Sequence, residues 1–229
     1  MERHFDDQLK FLENKLLEMA GAVEQAIYHS VKSLVARDEQ LAQSVIANDK
    51  GINELELEVE DLCFKLLALH QPMANDLRFI AAAMKINNDL ERMGDQSVNI
   101  AECAMDLLNK PPMKTLLGMP RMATLAQKMV KDSMDAFVNR DPVMAQDICN
   151  RDSEVDSLND QIFHELLTTM LSNPASIGRA VDLILVARDL ERIADHATNI
   201  AEEVIYIVEG KVIKHQLNYL GEHGIESLR

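Results

Sequence analysis

The 229-residue chain is 47% hydrophobic but only 4% aromatic, with no Trp, 13 Met, 8 Gly and 6 Pro, which is the usage of helices packed through aliphatic side chains and not of a strand-rich fold. Its formal charge of −15 divides as −9 over residues 1–110 and −6 over the rest, so clustered Lys and Arg for nucleic acid are lacking and a cation or a basic protein surface is the better partner. No run of about 18 uncharged apolar residues is present. The N-terminus (Glu2, Arg3, Asp6, Asp7) has no basic-then-apolar leader, so a cytoplasmic protein without membrane insertion is expected.

Apolar residues alternating three and four apart mark the first helix, through Phe5, Leu9, Leu12, Leu16, Met19, Val23, Ile27, Val31 and Leu34. A second runs through Leu41, Val45, Ile52, Leu55, Val59, Leu62, Leu66 and Leu69 to a turn at His70-Gln71-Pro72. The third spans Asn75 to Asn109, with Ala83, Ile86, Leu90, Met93, Ile100, Ala104 and Leu107 on its seam. Lys110-Pro111-Pro112, with Gly118 and Pro120 soon after, marks a linker because consecutive prolines cannot continue a helix. A fourth helix is expected over 121–139 and a fifth, capped by Asp141-Pro142, up to Leu171. After Ser172-Asn173-Pro174 a sixth runs to Gly210, and the polar stretch 211–229 is read as a loose tail. Cys63, Cys103 and Cys149 sit apart in apolar stretches and are read as buried, reduced thiols.

Asp89-Leu90-Glu91-Arg92-Met93-Gly94-Asp95 returns one hundred positions later as Asp189-Leu190-Glu191-Arg192-Ile193-Ala194-Asp195, and Asn-Ile-Ala-Glu follows both. One constant offset within one helix of each half signals internal duplication. The reading is therefore all-α: two tandem, pseudo-symmetric three-helix bundles over 1–113 and 114–210.

On a helical wheel Glu91, Asp95 and Glu102 fall together, away from the seam, and Glu191, Asp195 and Glu202 repeat them. The preceding helices carry Asp49 with Asn53 and Asp152 with Asp156, again four apart. Counted from the turn near Pro72, Asn53 and Glu91 stand at equal heights, as do Asp49 and Asp95. Around Asn173 the same holds within one residue for Asp156 with Glu191 and Asp152 with Asp195. Each half thus gathers four oxygen-bearing side chains on an outer groove, the chemistry that holds hard cations. Acidic residues on outer helix faces are ordinarily only solvated; duplication at matched heights shifts the balance to metal sites. The second, with four carboxylates where the first has the amide of Asn53, is expected to bind more tightly. Asn99, Asn199 and His196 are candidates to complete coordination, and Arg92 and Arg192 to pair with Asp89 and Asp189.

These residues resemble the PhoU family of bacterial phosphate-uptake regulators, marked by a doubled D/E-x-x-x-D/N signature. Here it reads Asp49 to Asn53 with Glu91 to Asp95, then Asp152 to Asp156 with Glu191 to Asp195. The segments Gln71-Pro72-Met73-Ala74-Asn75-Asp76-Leu77-Arg78 and Asp195-His196-Ala197-Thr198-Asn199-Ile200 are similar too. The resemblance runs from the first helix to Gly210. It implies six helices in two bundles with surface metal ions, iron or zinc among them; manganese and magnesium also suit oxygen ligands. It also implies a regulator that represses the phosphate-starvation regulon by bridging the phosphate ABC transporter's ATPase subunit and a sensor histidine kinase. Gln96, where the second copy has His196, makes the two sites unequal.

No catalytic pairing is evident, so a non-enzymatic adaptor is expected. Ile80, Met84 and Val98 beside the groove are read as exposed apolar residues for docking or for a homodimer contact. The alternatives are a di-iron oxidase or iron-storage bundle, disfavoured because none of the seven His follows a Glu at Glu-x-x-His spacing, and a metal-free scaffold.

Overall fold

The structure is a computed structural model and describes residues 2–113 and 118–213. Among these the chain forms α1 (Glu2–Ala36), α2 (Glu39–His70), α3 (Ala74–Leu108), α4 (Gly118–Asn139), α5 (Pro142–Ser172), a short 3-10 turn (Pro174–Ser176) and α6 (Ile177–Glu209), with no strand. The three-and-four spacing is what packs them: Leu12, Leu16, Met19, Val23 and Ile27 on α1, and Leu90, Met93 and Ile100 on α3, are completely buried.

Helix ends follow from specific residues. Arg37 and Arg140 take left-handed backbone (φ 55 and 52) to close α1 and α4. Asp38 and Asp141 then cap the next helices, accepting from Leu41 N at 3.0 Å and from Val143 N at 2.9 Å. Gly210, at φ 69, ends α6 as its position past the last seam residue requires. The helix expected over 121–139 begins at Gly118 instead, because the first turn of a helix needs no N–H and so accepts Pro120. Residues 114–117 of the expected linker and 214–229 of the expected tail lie outside the described residues. Ile213, however, is buried against the core.

Arg37 does more than close α1. Its guanidinium donates to the carbonyls of Leu107 (2.9 Å), Leu108 (2.5 Å) and Lys110 (2.8 Å), the orphan acceptors at the end of α3. Since Ala suffers the same left-handed strain, Arg37→Ala isolates those bonds. A loss of about 1 kcal/mol is expected for this exposed side chain, read as a melting temperature lower by about 3 °C. An unchanged melting temperature would show that water replaces the guanidinium without cost.

The two halves meet through α3 and α6. Their partners advance on one helix as they recede on the other: Lys85 with Glu203 at 2.8 Å, then Asp89 with Asn199 at 3.2 Å, then Asn99 with Asp189. The two helices are therefore antiparallel and related by the pseudo-symmetry of the repeat. α1 and α2 cover α3, α4 and α5 cover α6, and α1 also touches α4. One apolar core runs without a break through both halves. Being packed on three sides, α3 buries Ile80 completely, so Ile80 is not the exposed docking residue expected from the sequence; Met84 and Val98 are half-buried.

Candidate metal-binding grooves

In the first half, Asp49 and Asn53 lie on one face of α2, and Asn53 Nδ2 donates to Asp49 Oδ2 at 2.8 Å. The other oxygen, Asp49 Oδ1, is buried without a partner. Opposite it on α3 stand Glu91 and Asp95. Burial and then neighbouring carboxylates raise both above the usual range, Asp95 through Asp49, and Glu91 through Asp95, Glu56 and Asp49. Gly94 allows the close approach: a Cβ there would stand 3.3 Å from Ile52 and 3.7 Å from Asp49 Oδ1. The second copy has Ala194 at that position and the smaller Val155 opposite it.

The second half repeats the pattern with more charge. Asp152 and Asp156 on α5 face Asp195 and Glu191 on α6. Burial, followed by the charges of Asp152, Glu191 and Asp156, pushes Asp195 up to about 6. Asp152, Asp156 and Glu191 are raised by the same two causes in the same order. Thr198 Oγ1 donates to Asp152 Oδ1 at 3.3 Å and Asn159 Nδ2 to Glu191 Oε2 at 2.9 Å. The charges act across each groove in the expected pairs: Asp152 on Asp195, Asp156 on Glu191, and Asp49 on Asp95.

Two groove residues escaped the sequence reading. Glu56 and Asn159 occupy equivalent places, one turn beyond Asn53 and Asp156, and each addresses the glutamate of the facing helix. Their signal was the shared three-residue step from the second motif position in both copies.

Other expectations are corrected. His196 Nδ1 donates to Asp89 Oδ1 at 2.8 Å across the α3–α6 contact, so this ring nitrogen points away from the groove. Gln96, its counterpart, is likewise buried there, and the inequality of the two copies at this position belongs to the interface between halves. Asn199 and Asn99 serve Asp89 and Asp189, respectively. Among the described residues no ion pair joins Asp89 to Arg92 or Asp189 to Arg192. Both aspartates are buried between α3 and α6, and burial, opposed by Arg192, Asn99 and Arg188, pushes Asp189 up to about 6.

The cysteines are free thiols, with Cys63 and Cys149 buried and Cys103 partly so. Burial, before neighbouring acids, pushes Cys63 and Cys149 up to about 12 and Cys103 to about 11, which disfavours the thiolate that a metal needs. The donor set in the grooves is therefore oxygen, which suits hard cations. As the side chains stand, no three His, Cys, Asp or Glu among the described residues converge to hold an ion. Glu91 is half-buried, and Asp95, Asp156 and Asp195 are exposed.

Six helices in two matching halves, each with a carboxylate-lined groove, define a duplicated helical-bundle protein. The model of the PhoU domain matches it twice, over residues 16–104 and 119–204, one copy in each half. The phosphate-specific transport system accessory protein PhoU homolog of Caulobacter vibrioides is 39% identical over 215 residues, covering 93% of this chain and 94% of that protein. The protein of the same name from Aquifex aeolicus is 41% identical over 209 residues, covering 91% and 95%. The crystal structure of PhoU from Pseudomonas aeruginosa superposes with a TM-score of 0.88 at 36% identity, over 90% of this chain and all of that one. The phosphate transport system regulatory protein PhoU of Streptococcus pneumoniae gives 0.85 at 29%, over 91% and 98%. The chain belongs to the PhoU family.

Proposed function

We propose that this chain is a metal-binding accessory protein of phosphate-specific transport that represses the phosphate-starvation response when phosphate is plentiful. It acts by binding and not by catalysis, as a cytoplasmic homodimer that bridges the ATPase subunit of the phosphate ABC transporter and a sensor histidine kinase. The names carried by its relatives support the transport role. No described helix is long and apolar enough to cross a membrane, in keeping with an adaptor that meets membrane proteins from one side.

One observation carries the metal part: in each half, oxygen-bearing side chains from two antiparallel helices face one another, and the carboxylates of the facing helix help to raise Asp95 and Asp195. Repulsion of that kind on a folded surface is offset by a cation. The first groove offers Asp49, Asn53, Glu91 and Asp95, and the second Asp152, Asp156, Glu191 and Asp195. Iron, zinc, manganese and magnesium all suit such donors, with cellular supply choosing among them.

Metal analysis of the purified protein tests this. More than trace divalent or trivalent metal is expected, with Glu191→Ala/Asp195→Ala losing the share held by the second groove at unchanged helical content. Equal metal content in the double variant would remove the second site. The regulatory part is tested in cells: a strain lacking the protein is expected to express its starvation genes in high phosphate. One that still silenced them would overturn the adaptor role.

A further inference from the structure

Past its carboxylates, the α5–α6 groove continues towards the Asn173 turn as an apolar furrow. Phe163 and Leu167 follow Asp156 by seven and eleven residues, and Ile177 precedes Asp195 by eighteen, so all three share the face of the acidic residues. Leu171 and Val181 flank them, four residues from Leu167 and Ile177. Since Asn159 bonds Glu191, the antiparallel register sets Leu167 near Val181 and Leu171 near Ile177. The strip is two helices wide and about 12 Å long. Its large side chains stay open to solvent, from 39% for Leu167 to 78% for Leu171. The first half repeats it more weakly: Phe64 and Leu77, the counterparts of Leu167 and Ile177, are 54% and 46% exposed.

The border of this furrow is strongly negative. Asp152, Asp156, Asp160, Glu191 and Asp195 face along it, and Arg188 is the cation that acts on Glu191 there. A divalent ion in the second site cancels only half the charge of its four carboxylates. An apolar strip beside uncompensated acid is complementary to one kind of surface, an apolar stripe edged with Lys and Arg. A straight trough between two antiparallel helices fits a third helix. A second copy of this chain fits poorly, because it carries a formal charge of −15 and the same acidic groove.

We propose that the α5–α6 groove docks a basic amphipathic helix of a partner protein, its apolar face on Phe163, Leu167, Leu171, Ile177 and Val181 and its cationic edge on the carboxylates. This deepens the adaptor reading and rests on it for the partner's role, while the groove chemistry stands apart from metal loading.

The test uses the full chain and a fluorescent amphipathic peptide of about 18 residues built from Leu and Lys, with the same peptide carrying Glu for Lys as control. Anisotropy at submicromolar concentration, with and without chelator, reads binding. The Lys peptide is expected to bind and the Glu peptide not. Leu167→Ser/Val181→Ser, which alters two exposed positions, is expected to weaken binding by about tenfold or more, with helical content unchanged. Binding undiminished in that variant, or equal binding of the Glu peptide, overturns the proposal. So does dissociation of a wild-type dimer by the same variant in sedimentation, which assigns the furrow to a second copy. A deletion strain that still silences its starvation genes would sink the adaptor role and leave the peptide result untouched.

Discussion

Phe137→Ala is expected to cost about 4 kcal/mol and to lower the melting temperature by about 10 °C. The Phe137 ring, on α4, is completely buried and stacks on Phe79 of α3 at 5.7 Å and 13°. The guanidinium of Arg140 lies 4.5 Å from the Phe79 ring and 5.0 Å from that of Phe137, closing the stack from the open side. Truncation removes a large apolar ring, an aromatic pair and a cation–π contact, and leaves a cavity between helices of different halves. Because one core runs through both halves, the variant and the wild type alike are expected to unfold in a single transition. Phe137→Leu, which refills most of the space, should cost under about 2 kcal/mol. A loss below about 1 kcal/mol for the alanine variant, or the appearance of two transitions, would mean that the halves do not depend on this joint.

Phe137 also marks the limit of what the sequence made legible. Each helix advertised its innermost stripe: Leu12, Leu16 and Met19, or Leu90 and Met93, repeat at helical spacing, and the one-hundred-residue offset declared the duplication. The acidic heights were equally readable, because counting from a turn fixes position along two antiparallel helices. The second buried face of α3 and α6 was not. It is built from Asp89, Gln96 and Ser97 on α3 and Asp189 and Glu203 on α6, together with His196, which on a wheel look like solvated surface. The charged members find partners in the other half of the chain: His196 and Asn199 on Asp89, and Lys85 on Glu203. Tertiary pairing of this kind has no periodic signature. The same cause misplaced Ile80 on the surface and hid the bond between His196 and Asp89.

Without metal, the protein is expected to become more stable as pH falls from 7.5 to 5.5, and with metal the reverse. Asp195 and Asp189 are pushed up to about 6, and Asp152, Asp156, Glu191, Glu91 and Asp95 are raised as well, in each case by burial first. A carboxylate whose pKa is higher folded than unfolded binds more protons in the native state between the two values. Unfolding free energy then falls as pH rises from the unfolded to the folded pKa, levels off above the folded one, and is recovered on acidification through the same range. For Asp195, partly open to solvent, screening leaves about 1 kcal/mol of this penalty at neutral pH. A cation needs those same groups ionised, so its stabilisation fades over the pH range in which the metal-free protein gains. Asp195→Asn separates the two effects, since it keeps the shape and removes the charge. With chelator at pH 7.5 it should melt above the wild type, by a margin that narrows as pH falls below 6 and closes only near the unfolded value of 3.8, and added Zn²⁺ or Mn²⁺ should raise its melting temperature less. A variant less stable than the wild type under chelator at pH 7.5 would show that the Asp195 charge is not under strain in the metal-free groove, and the physical reason for a cation there would be gone.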